Sequence, residues 1–112
     1  MRDPLDSVKD KGLTFEARTV FEKNMDHFIN NAEDTELAIS MSLQVQGIEP
    51  NLETVLSHIS GFINGTIWCF YRINHERALN SDEIRDLLNL LKRRSAELKS
   101  AFISSRIYPL ES

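Results

Sequence analysis

The chain has 112 residues, of which 41% are hydrophobic and 27% charged, and a formal net charge of −4. That suffices for one domain around one core, and the acidic balance disfavours the basic domain expected of a nucleic-acid binder. The single cysteine, Cys69, excludes an intramolecular disulfide; read as a buried packing residue, it suits a reducing compartment.

The opening "MRDPLDSVKD" carries no apolar h-region of a secretory signal, and the longest apolar run, "IWCFY", is far short of the ~20 residues of a membrane span. A cytoplasmic protein without membrane contact is expected. Residues 1–12 read as a flexible lead-in, 13–105 as a single domain and 106–112 as a tail.

Thr14 can N-cap a first helix with Glu16 in its first turn. Phe21, Met25, Phe28 and Ala32 then share one face. The second segment is ambiguous. Leu37, Ile39, Met41, Leu43 and Val45 alternate with small or polar residues, which is a strand pattern. A helix there would be apolar on two sides, with Leu37, Ala38, Met41 and Val45 on one and Ile39 and Leu43 on the other. A cap at Asp34 or Thr35, and Gly47 and Ile48 placed for a Schellman ending before Pro50, favour the helix.

Asn64-Gly65 in the third segment is a strong hairpin signal. Helical projection nevertheless collects Leu52, Val55, Leu56, Ile59, Phe62, Ile63, Thr66, Ile67, Phe70 and Ile73 within roughly 80° of one direction. A hairpin would mix residue types on both faces. One helix over about 51–75 is therefore expected. Asn80 and Glu83 form a capping-box-like pair for the last helix. Its seam reads Ile84, Leu88, Leu91, Ser95, Leu98 and Phe102. The expected fold is an all-α, four-helix, mostly antiparallel bundle. The alternative is an α+β protein with a strand at 37–46 and a hairpin turning at 64–65.

No motif assigns chemistry. Glycine-flanked serine elbows and phosphate-cradling loops are missing, so no catalytic residue is named. His58 and His75 lie about 26 Å apart on a straight helix. Glu22 and Asp26 share a face, and His27 follows Asp26, but the ligand spacing of metal-binding bundles does not accompany them. No metal site or cofactor is expected.

Two surfaces remain. Trp68 projects about 180° from the expected core of the third helix, beside Ser57, Gly61, Asn64, Gly65, Arg72 and His75. Trp and Arg are enriched at interface hot spots, so this back face could bind a second copy or another protein. Otherwise the second helix covers it inside the monomer. Arg85, Lys92 and Lys99 recur every seven residues on the last helix and could meet phosphates. The functional expectation is a small cytoplasmic protein-interaction module, a regulator, adaptor or subunit working as a homodimer. The alternative is a nucleic-acid-associated regulatory protein using that basic flank.

Overall fold

The structure, a computed structural model, describes residues 12–104. The expected lead-in, except Gly12, and the expected tail at 106–112 lie outside the described residues. Four helices follow one another: α1 (Phe15–Asn30), α2 (Ala32–Val45), α3 (Leu52–His75) and α4 (Ser81–Ser104). Every pair of helices is in contact, and no strand occurs among the described residues. The all-α bundle is thus the fold. Residues 37–45 are helical and Asn64-Gly65 lies inside α3, so the strand and hairpin alternative falls.

Local hydrogen bonds account for the helix ends. Thr14 Oγ1 accepts from the Ala17 N–H as N-cap of α1. Gly47, with φ +78°, donates to the Gln44 carbonyl, and Ile48 donates to the Leu43 carbonyl. Those two bonds are the Schellman ending expected from Gly47 and Ile48. Asn51 and Thr54 form a reciprocal capping box at α3. Asn80 and Glu83 do the same at α4, with bonds of 2.8 and 2.9 Å.

The start of α2 differs from expectation. The break falls at Asn31 (φ −126°, ψ 41°), three residues before Asp34, and its side chain makes no cap bond to α2. Instead Asn31 Nδ2 donates back to the His27 carbonyl of α1. Glu33 and Asp34 occupy the first turn of α2, where carboxylates suit the helix dipole.

The four helices occupy three lanes. The Thr14 N–H donates to Tyr71 Oη at 3.0 Å, and the Phe28 and Phe62 rings meet edge to face at 5.5 Å. Farther along, Ile39 lies near Ile59, and Leu43 near Thr54 and Ser57. So α1 and then α2 run along α3 in succession, both antiparallel to it. Arg18 pairs with Asp86, and Arg94 reaches Glu22 and Asp26, which makes α4 parallel to α1 and antiparallel to α3.

The core comes from one stripe per helix: Ala17, Phe21 and Met25; Ala32, Ile39 and Leu43; Val55, Ile59, Ile63, Ile67 and Tyr71; Leu87, Leu90, Leu98 and Phe102. Two expectations shift here. Phe62 and Ile73 are exposed, because the buried stripe of α3 is narrower than its apolar arc. The seam of α4 runs through Leu87, Leu90 and Arg94, while Leu88 and Ser95 are exposed. In "DLLNLLK" either leucine of each pair could turn inward. The inward set brings Arg94 to the carboxylates of α1.

Candidate interaction surface

The predicted back face of α3 divides in two. Ser57, Gly61, Gly65, Arg72 and His75 are exposed, and a Cβ added at Gly61 or Gly65 would meet nothing within 4 Å. Trp68 and Asn64 are half-buried, and Trp68 packs against the core cluster. Position 68 stands beside the buried stripe of Ile67 and Tyr71, on its flank and not opposite it. Most of this face is open to solvent, while Trp68 is partly packed against the core of its own chain. Cys69, expected to be buried, is exposed, because it continues the outward row of Ser57, Gly61 and Gly65.

The larger apolar surface belongs to α2. Its inner stripe is Ala32, Glu36, Ile39 and Leu43, with Glu36 accepting a hydrogen bond from Ser40 Oγ at 2.6 Å. The opposite stripe faces outward: Leu37 is 60%, Met41 58% and Val45 88% exposed. Spaced by four, these side chains adjoin on the helix surface. The chain carries no charged residue from 37 to 48. Interface cores are depleted in charge in this way. The two-sided apolarity of α2 was legible in the sequence; which side stayed open was not.

Exposed Ala38 links this stripe to a groove of about 400 Å³ between α2 and α3. Its floor and walls include Phe28, Ala38, Ile39, Ile59 and Phe62. His27, Asp34 and His58 stand at its rim, a set that linear spacing could not bring together. Among the described residues no three His, Cys, Asp or Glu side chains are grouped to hold a metal ion.

Elsewhere the charges answer one another within the chain. Arg94, 17% exposed at its side chain, contacts Glu22, Asp26 (2.9 Å) and Glu97 (2.8 Å). The Glu97 hydrogen bond is the chief cause that raises its pKa, with those to Asp26 and Glu22 adding to it. Glu22 and Asp26 are therefore committed to a guanidinium. Arg77 grips buried Glu83 with two bonds of 2.7 and 2.8 Å and lies over the Tyr71 ring. That fork holds the Glu83 carboxyl below its ordinary pKa against the opposing effect of burial. The polar loop before α4 is thus a built joint. On the basic flank, Lys92 and Lys99 are exposed and Arg85 turns to Asp82 at 3.4 Å.

Compared with known proteins, the chain matches no family model, no curated protein and no solved structure. Among the described residues no helix is long and apolar enough to cross a membrane.

Proposed function

We propose that this protein works by binding other protein chains through the outward face of α2, as a small regulator, adaptor or subunit in the cytoplasm. The observation that carries this is the stripe of Leu37, Met41 and Val45, apolar and open on a helix already anchored by its other side. Keeping three large apolar side chains in water forgoes a stabilisation of roughly 1.5–3 kcal/mol per side chain that burial provides. A contiguous uncharged patch of this kind is characteristic of association surfaces.

The test is a photo-crosslinking amino acid placed at position 41, with the same group at Glu16 or Lys99 as controls. Discrete protein adducts are expected from position 41 and not from the controls. Equal labelling at all three, or none at position 41, would reject the α2 face. The nucleic-acid alternative rests on Lys92 and Lys99. It requires binding that weakens steeply with salt and with Lys92→Glu.

A further inference from the structure

We propose that the groove between α2 and α3 binds a small organic amine, with an apolar body against Phe28 and Phe62 and an ammonium group at Asp34. This site is separate from the outward stripe of α2 and does not depend on what that stripe binds.

The groove lies at the Asn31 break. α1 brings Phe28 to it, α2 brings Ala38 and Ile39, and α3 brings Ile59 and Phe62. Its volume of about 400 Å³ falls within the range of small-molecule sites, which are mostly apolar with a few convergent polar groups. Phe28 and Phe62 meet edge to face at 5.5 Å, so each ring fixes the other, yet Phe62 stays 54% exposed. Ala38 has the smallest side chain in the lining. A large side chain at that position would take up the space itself.

Charge selects the ligand. Asp34 is the only Asp, Glu, Lys or Arg in the lining. Among the described residues its carboxylate has no hydrogen-bond or ion-pair partner. α1 ends and α2 begins at Asn31, so helix ends of opposite partial charge meet there and offset each other. The carboxylate therefore sets the sign of the site. An ammonium group carries three donors and no acceptor. Asp34 supplies acceptor oxygens, and His58 on α3 adds a ring nitrogen. The faces of Phe28 and Phe62 also attract a cation. An anionic head group would meet repulsion from Asp34 and find no Lys or Arg to answer it.

The experiment is titration of the full chain with phenylbutylamine at pH 7, followed by backbone and methyl chemical shifts. Phenylbutanol and phenylbutyrate, of nearly equal size, are titrated beside it. Saturable shifts are expected at Ile39, Ile59 and Phe62, with a dissociation constant on the order of 1 mM for the amine. The amine should bind about threefold more tightly than the alcohol, and the carboxylate most weakly. Asp34→Asn, at an exposed position, should bring the amine down to the alcohol and leave the alcohol unchanged. Ala38→Phe should abolish binding of all three; Asp34→Asn remains decisive if that larger change disturbs α2. Absence of saturable shifts up to about 10 mM, shifts confined to other parts of the chain, or a carboxylate that binds as tightly as the amine would overturn the proposal. So would a preference for the amine that survives Asp34→Asn.

Discussion

α1 and α2 lie end to end against the same helix, yet they treat their outward surfaces in opposite ways. α1 carries Arg18, Glu22 and Asp26, and each is answered by α4 through Asp86 or Arg94. α2 has no charge between 37 and 48 and leaves Leu37, Met41 and Val45 in water. The α1 half is tied to α4 by directional bonds. The half beyond the Asn31 break keeps an apolar face that no described residue covers. The difference shows where binding can reside: where the chain leaves an expensive exposure unresolved, not where its charges are satisfied.

The largest effect contrasts inside with outside. Ile63→Ala empties a fully buried site on α3 and should cost about 3 kcal/mol. Val45→Ala on the open face should change monomer stability by less than about 0.5 kcal/mol. Urea melts at low protein concentration decide this; a similar cost for both would mean that the α2 stripe is packed after all.

Arg94 tests the sealed half. Arg94→Ala strands three carboxylates around a partly buried position and should cost about 1–2 kcal/mol. Arg94→Lys should recover part of it, since one ammonium cannot reproduce the fork. Added salt should shrink the gap between wild type and variant. A salt-independent loss would assign the effect to packing of the side-chain stem.

The joint before α4 gives a pH signature. Arg77 holds the folded Glu83 carboxyl below its unfolded value of about 4.3. Its stabilisation is therefore present above that value and lost as pH falls through the folded pKa. Glu83→Gln should cost about 1–2 kcal/mol at pH 7, and the difference from wild type should narrow once the pH drops under the unfolded value and close as it falls through the folded pKa. Denaturant curves at pH 7, 5 and 3 check the sign; a constant difference would mean that the cap, and not the charge, carries it.

The smallest effect has the opposite sign. Gly61→Ala and Gly65→Ala add a methyl to open helix surface and should each stabilise by about 0.5–1 kcal/mol. Assembly should survive both. If either abolishes association at unchanged fold, the small-residue row on α3 is the contact and the α2 face is not.

By itself the sequence determined most of the helix ends, though not the start of α2 at Asn31. Thr14, Gly47 with Ile48, and Asn80 with Glu83 act through hydrogen bonds that span three to five residues. Such bonds form wherever the local chain allows them, so a linear reading finds them. Only the tertiary structure decided which part of each apolar arc was covered. In α4 it chose Leu87 and Leu90 over Leu88 and turned Arg94 toward α1. In α3 it left Phe62 at a groove and tucked Trp68 against the core. In α2 it buried Ile39 and Leu43 and left Leu37, Met41 and Val45 open. The apolar arc of each helix is wider than the line along which its neighbours touch it. The choice within that arc depends on where the other lanes run, and local periodicity carries no record of that.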